Sequence, residues 1–234
     1  MKVLHHLLGI VASIAMILIL LISSFEIAAY SDYNWYEKEY EKYEVLAELE
    51  MEMPDVMEVT KEMMKYLRGD REDLVVYTTV DGVEREFFND REKAHMVDVL
   101  NLFLGGLLLR KVGVVLMVIS AFVLIVTKGN WKSILPKSFL IGTGCFVGIT
   151  AIAGVAFMTD FNKYFVMFNN IFFDNDLWLL DPRTDLMIRM LPEGFFMDMV
   201  MRIGVIFLLM MGILLVISVA MVYKNLNKKN LLKF

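Results

Sequence analysis

Four stretches of this chain, residues 3–25, 112–127, 139–158 and 203–223, contain no Asp, Glu, Lys or Arg. A bilayer core of about 30 Å takes roughly 17–25 apolar residues as helix, the conformation that satisfies every backbone N–H and C=O without water. The second stretch is short. It reaches full length if its helix starts before Arg110 and Lys111, whose long side chains then carry their charges back to the head groups. With 58% hydrophobic residues the chain is more apolar than a soluble domain. The expected fold class is a membrane all-α bundle of four transmembrane helices with a small α+β extracytoplasmic head.

Charge orients the helices, because basic residues in short loops are retained on the cytoplasmic side. Segments 1–6, 128–138 and 224–234 hold Lys2, Lys128, Lys132, Lys137, Lys224, Lys228, Lys229 and Lys233 and no acidic residue, so all 28 Asp and Glu lie elsewhere. The expected division is transmembrane helix 1–29, extracytoplasmic head 30–100, helix 101–128, cytoplasmic loop 129–138, helix 139–158, extracytoplasmic interfacial segment 159–200, helix 201–223 and cytoplasmic tail 224–234. Both termini are then cytoplasmic. An acidic exterior, within a net charge of −5, argues against nucleic acid as a partner, since phosphate binding needs clustered Lys and Arg. The first apolar stretch is longer than the h-region of a cleaved signal peptide and reads as a retained anchor. Cys145, the one cysteine, falls in the third helix and reads as a small packing residue.

The first outer segment has the composition of a folded domain. Tyr33, Tyr36, Tyr40 and Tyr43 recur at spacings of three and four, which places four rings on one helix face as core. Pro54 is expected to end that helix, and 55–67 to form a second one stopped by Gly69. Residues 74–79 and 83–88 flank Asp81-Gly82, a hairpin signal because Gly supplies the positive φ of a primed turn; the hairpin should pack on the tyrosine stripe. A helix entered through Asn89 or Asp90 as N-cap follows. The segment 159–202 is rich in aromatic rings suited to a head-group belt: Phe161, Tyr164, Phe165, Phe168, Phe172, Phe173, Trp178, Phe195 and Phe196. Within it Asp181 and Pro182 read as N-cap and first residue of a short helix, 183–191, lying flat on the membrane and stopped by Pro192. Gly144 and Gly148 form a G-x-x-x-G pair, which suggests a close helix contact.

Chemistry concentrates at one histidine. His5 and His6 are explained by interfacial solvation. His95 lies where a helix is expected to enter the membrane, with Glu92 and Asp98 three residues to either side on the same face. A carboxylate that near can set the imidazole tautomer and raise its basicity, as a general base requires. Asn169, Asn170, Asn175, Arg183 and Arg189 are the outer-face donors that could meet an oxyanion. The chain has no H-x-x-x-H, H-E-x-x-H or Cys/His cluster, no G-x-S-x-G elbow and no P-loop. No metal and no other cofactor is therefore expected. A non-catalytic protein whose acidic outer head binds an envelope partner is the alternative; a transporter fits less well, because Arg110, Lys111 and Arg202 lie near helix ends and no charge sits mid-membrane.

Two strings, Glu92-Lys-Ala-His95-Met-Val-Asp98-Val99 and Asn169-Asn170-Ile-Phe-Phe173 with Trp178-Leu-Leu-Asp181-Pro182, Asp185, Leu191-Pro192-Glu193, Phe195-Phe196 and Asp198, resemble a bacterial integral membrane family that includes the lipoprotein intramolecular transacylases. The order of elements and a segment like Met64-Lys-Tyr66-Leu67-Arg-Gly69 extend the resemblance over most of the chain. The resemblance implies a multi-pass protein of the bacterial cell membrane. Its activity would move the sn-2 acyl chain of a diacylglyceryl-modified N-terminal cysteine onto that cysteine's own α-amino group, with the lipid bilayer and the modified lipoprotein as partners. With the residue reading above, the expected catalytic set is His95 as base, Asp98 or Glu92 as its orienter, and Asn169 with Arg183 near the ester. Family members carry a second histidine just before the Ile-Phe-Phe run, where this chain has Asn169, a group that donates to an oxyanion but takes up no proton.

The lysine bias carries a direct test. A reporter active only in the cytoplasm should work when fused after Phe234 and stay silent when inserted at 81–82; the reverse pattern would overturn the orientation.

Overall fold

The computed structural model describes residues 1–159 and 161–231. Lys233 of the tail lies outside the described residues, as do the side chains of Phe161, Phe165, Lys228 and Lys229. The chain divides into two compact units. The first comprises Met1–Phe25, Leu107–Tyr164 and the part from Gly204 onward, the second Glu26–Gly106 and Phe165–Ile203.

The first unit is built from helix. Among the described residues, four helices are long and apolar enough to cross a membrane: α1 (Lys2–Tyr30), α5 (Asp90–Val126), α6 (Trp131–Thr159) and α9 (Glu193–Leu231). At 37 and 39 residues, α5 and α9 run to about 55 Å at 1.5 Å per residue, well beyond an apolar core of about 30 Å. The excess of α5 is its N-terminal part, 90–106, and that of α9 includes 193–203; both parts belong to the second unit. The apolar window of α1 is 39% buried against 17% in the other three, so α1 is the helix the others pack around.

Small residues set that packing. A Cβ placed on Gly9 would strike Ser138, and one on Gly142 would strike Ser13. Gly9 and Ser13 of α1 thus interlock with Ser138 and Gly142 of α6, a small-xxx-small pair on each helix that lets two parallel backbones approach closely. Gly113 of α5 meets Ala15 and Ile19 of α1. The pair Gly144 and Gly148 was the expected contact, but the space beside both is open and Cys145 is exposed, not packed. Every face of α6 is apolar, so spacing alone does not say which face meets α1. Pro136 lies inside α6 and cannot donate to the Lys132 carbonyl. Asn225 of α9 donates to that carbonyl instead, at 2.6 Å.

The second unit has a mixed core. Tyr36 and Tyr40 of α2 (Asn34–Lys42) are buried as the stripe predicts. The Tyr40 hydroxyl meets Thr60 Oγ1 at 2.7 Å, and Tyr36 donates to the Ala29 carbonyl at 2.9 Å. The helix ends earlier than expected, at Lys42, and Glu44, with φ +53°, turns the chain into α3 (Val45–Leu49). Pro54 does not terminate a helix. It sits in the first turn of α4 (Met53–Arg68), where its missing N–H has no intrahelical partner to lose. Gly69 caps α4 at φ +80°, as expected.

The hairpin forms with shorter strands, β1 (Tyr77–Val80) and β2 (Val83–Glu86), paired with Val80 opposite Val83. Asp81 and Gly82 both have positive φ, +50° and +68°, the primed geometry. β1 packs against α4, and Asp81 N–H donates to the Glu50 carbonyl at the end of α3. Beyond α7 (Phe161–Phe172), the short helix α8 (Leu186–Met190) opens at Asp185, not at Pro182, because 181–184 is taken up by a turn. Its Leu186, Met187 and Met190 are buried in the unit's core with Tyr40 and Phe195, so α8 is a core helix and not a surface-lying one. Phe173 and Phe195, expected in an interfacial belt, are buried too; Phe195 stacks on Tyr40 at 6.0 Å.

Overfilling the α1–α6 contact should loosen the bundle. Gly142→Ile should lower stability by about 1–3 kcal/mol, read as a reduced thermal unfolding midpoint in detergent, whereas Gly148→Ile, beside open space, should change it little.

Candidate active site around His95

The first turn of α5 is a capping box. Asn89 Oδ1 accepts from Glu92 N–H at 2.9 Å, and Glu92 Oε2 accepts from Asn89 N–H at 2.8 Å. Asn89 is therefore the cap, with Glu92 as its reciprocal partner. Glu92 is 0% exposed, and its other oxygen, Oε1, accepts from the backbone N–H of Met187 at 2.6 Å. Burial pushes its carboxyl above the usual range, outweighing the amide bonds that favour the anion.

The same turn grips a segment nearly a hundred residues away in sequence. Asn89 Nδ2 donates to Asp185 Oδ1 at 2.8 Å, and Asp185 in turn accepts from Asp181 N–H at 2.7 Å and from the Thr184 hydroxyl at 3.0 Å. The Arg91 guanidinium donates to the carbonyls of Asp176 and Leu179 at 2.6 and 3.3 Å.

One turn further along α5, His95 meets the edge of Phe173, with ring centroids 5.5 Å apart and planes at 74°. Its Nδ1 is buried and finds no hydrogen-bond partner among the described residues. Burial pulls the imidazole below its ordinary pKa; the nearby Asp98 carboxylate opposes that shift and the Arg91 charge adds to it. The expected gain in basicity from flanking carboxylates is thus outweighed by loss of water. Asp98 Oδ2 accepts from Asn175 Nδ2 at 2.8 Å. Asn169 is 4% exposed on α7, and its carbonyl accepts from Phe173 N–H at 2.8 Å, one helical turn before the ring that touches His95.

Of the expected catalytic set, Asp98 acts on the His95 imidazole through its charge, and Asn169 is tied to Phe173, the ring beside His95, by a backbone bond. Glu92 spends both oxygens on backbone amides and does not reach the imidazole as an orienter. Arg183 stands apart. Its side chain is 87% exposed and is held by Asp181 at 2.6 Å, which keeps that carboxyl down to about 2. Asn175 and Phe173 were singled out from sequence as a donor and a belt ring; their part in positioning Asp98 and walling His95 follows only from the fold. Arg91 carried no sequence signal, because a lysine or arginine at a helix start is ordinary.

The family model described as lipoprotein intramolecular transacylase Lit matches residues 10–196. This chain belongs to that family. Its fold resembles the in meso structure of the membrane integral lipoprotein intramolecular transacylase Lit from Bacillus cereus, with a TM-score of 0.76 and 20% identity over 96% of this chain and 99% of the other. Two structures of the same Bacillus cereus protein carrying single histidine substitutions, one to alanine and one to arginine, match with TM-scores of 0.73 and 0.74 at 20% and 19% identity; they cover 94% and 96% of this chain and 94% of each relative. Comparison with the curated proteins finds no match. Both strings of the resemblance lie almost wholly inside the family match, and their contacts converge on the first three turns of α5.

Glu92 tests the joint between the strings. Glu92→Ala strands the buried amides of Asn89 and Met187, at about 1–3 kcal/mol for each unpaired group. The thermal midpoint should fall clearly, and Glu92→Gln, which still accepts, should fall less.

Proposed function

We propose that this protein is a lipoprotein intramolecular transacylase that moves the sn-2 acyl chain of a diacylglyceryl-cysteine to the α-amino group of the same cysteine, with His95 as general base. Family membership across residues 10–196 carries the proposal. The partnerless, buried Nδ1 of His95 supports His95 as the residue at its centre. In this reading both termini are cytoplasmic, residues 30–100 and 159–200 are extracytoplasmic, and the substrate is anchored by its lipid in the outer leaflet. His95 lies about two turns before residue 101, where the expected span begins.

The chemistry asks for proton handling and positioning. An α-amino group has a reference pKa near 8, so much of it is protonated at neutral pH and its attack must shed a proton. The amine nitrogen attacks the sn-2 ester carbonyl while the His95 imidazole takes the amine proton. The carbonyl oxygen becomes an oxyanion, for which the Asn169 amide is the candidate donor. Collapse breaks the bond to the sn-2 glyceryl oxygen, which leaves with the proton returned by the imidazolium. The products are an amide and a free sn-2 hydroxyl. Nucleophile and electrophile belong to one molecule, so the enzyme needs to fold the substrate back on itself more than to gather two. Asp98 favours the imidazolium by its charge and is held for this by Asn175. Glu92 positions the helix, and Arg183 lies outside the reacting set.

His95→Ala should cut formation of the N-acylated, lyso-form lipopeptide by about 10²–10⁴-fold, read by mass spectrometry of lipopeptides from cells with and without the gene; undiminished turnover would remove His95 from the mechanism. The base works when unprotonated, so activity should be lost as pH falls through the folded pKa of His95. Burial places that limb below the ordinary value of about 6.5. Asp98→Asn removes the charge that opposes burial and should move the limb to lower pH still; a limb that stays put would show that Asp98 does not act on the imidazole.

A further inference from the structure

Arg91, His95 and Asp98 follow one another on α5 at spacings of four and three, in line on one helix face with His95 in the middle. Residues 174–180, which form neither helix nor strand, are tied to that face on both sides of the imidazole. One turn before it, the Arg91 guanidinium donates to the Asp176 and Leu179 carbonyls at 2.6 and 3.3 Å. One turn after it, Asp98 Oδ2 accepts from Asn175 Nδ2 at 2.8 Å. The residue that opens the segment, Phe173, lies against the His95 ring itself.

The ends of this stretch are held differently from its middle. Phe173 is 8% exposed and Asp185, bonded to Asn89 and to the Asp181 amide, is 3% exposed, so both ends are buried anchors. Between them Asp174, Asn175, Asp176 and Leu179 are exposed, and the three bonds to α5 are made at the surface. A surface hydrogen bond shifts an equilibrium by only about fivefold, because water replaces it when it breaks. Three of them hold the segment down by on the order of a hundredfold, which leaves an open state of about 1%. Such a segment lifts without unfolding the unit around it. A diacylglyceryl-cysteine has to bring its amine to an imidazole that is half-buried, with Phe173 on its ring and Nδ1 fully buried. We infer that residues 174–180 are a strap over His95, latched by Arg91 and Asn175, which lifts to admit the diacylglyceryl-cysteine and closes before acyl transfer; this rests on the function proposed above. Arg91 and Asn175 are then positioning residues, since they touch the strap and not the reacting atoms. Closure excludes the water that competes with the amine for the ester.

The test makes the latch covalent. In a Cys145→Ser background, Arg91→Cys with Asp176→Cys puts a thiol on each side of the natural tie, and a reducible bis-methanethiosulfonate reagent about as long as the arginine side chain bridges them. The reduced protein should form the lyso-form lipopeptide, the bridged protein should form about tenfold less or lower still, and reductant should restore it. Equal turnover by bridged and reduced protein would overturn the inference. A synthetic diacylglyceryl-cysteine lipopeptide with a diazirine in its sn-2 chain reads access without turnover: on illumination it should label the start of α5 in the reduced protein and not in the bridged one. Labelling that the bridge blocks, in a protein that makes no product, would sink the proposed reaction and keep the strap; labelling indifferent to the bridge would sink the strap. If the double variant does not fold, hydrogen exchange of the wild type decides. The Leu179 and Leu180 amides, bonded within the strap at 3.0 and 3.1 Å, should be slowed by only about a hundredfold, and by about fivefold less in Asn175→Ala. Exchange as slow as that of the buried Met187 amide would overturn the inference.

Discussion

The carboxylate of Glu92 joins two parts of the chain that sequence keeps far apart. One oxygen closes the capping box with Asn89, the other accepts from Met187, and the group is wholly buried. A buried carboxylate is costly in an apolar surround, and the offset here comes from backbone amides that would themselves be orphaned at helix starts. Each partner therefore needs the other, and this mutual dependence is what docks α8 on the first turn of α5. The contacts of Arg91 with 176 and 179, of His95 with Phe173 and of Asp98 with Asn175 follow in helical order from that anchor.

Electrostatics at His95 show why a motif does not fix a basicity. Carboxylates at i−3 and i+3 suggest a ring held strongly basic, but one is occupied by amides and the other is bound by Asn175, while Phe173 strips water from the ring. Desolvation therefore prevails, and the imidazole is biased towards its neutral form. For a residue proposed to accept a proton, that is the useful direction: it stands unprotonated at neutral pH, and Asp98 stabilises the cation that forms.

The head core and the bundle differ in what holds them. In the second unit, aromatic rings with satisfied hydroxyls carry the packing, as Tyr40 with Thr60 and Phe195 shows. In the first, lipid is as apolar as the helix surfaces, so burial of Leu or Ile discriminates little. Close approach at Gly9, Ser13, Ser138 and Gly142, and the Asn225 bond to the Lys132 carbonyl, supply the specificity instead.

Much of this was legible without coordinates, and the reasons are local. Uncharged runs determined four spanning helices, because the bilayer thickness and the cost of bare backbone polar groups leave no other solution. The tyrosine spacing, the Asp81-Gly82 turn, the Gly69 cap and the family strings were equally readable, since each depends on a few neighbouring residues. Pro54 was misread for the same locality: a proline both ends one helix and begins another, and only the chain path at Glu44 decides which. Which glycines of α6 meet α1, that α8 is buried and opens at Asp185, and that Glu92 serves Met187 in place of His95 were decided by tertiary structure. These are choices among faces and partners that the sequence leaves equivalent, and they are settled only when distant segments compete to satisfy the same buried donors and acceptors.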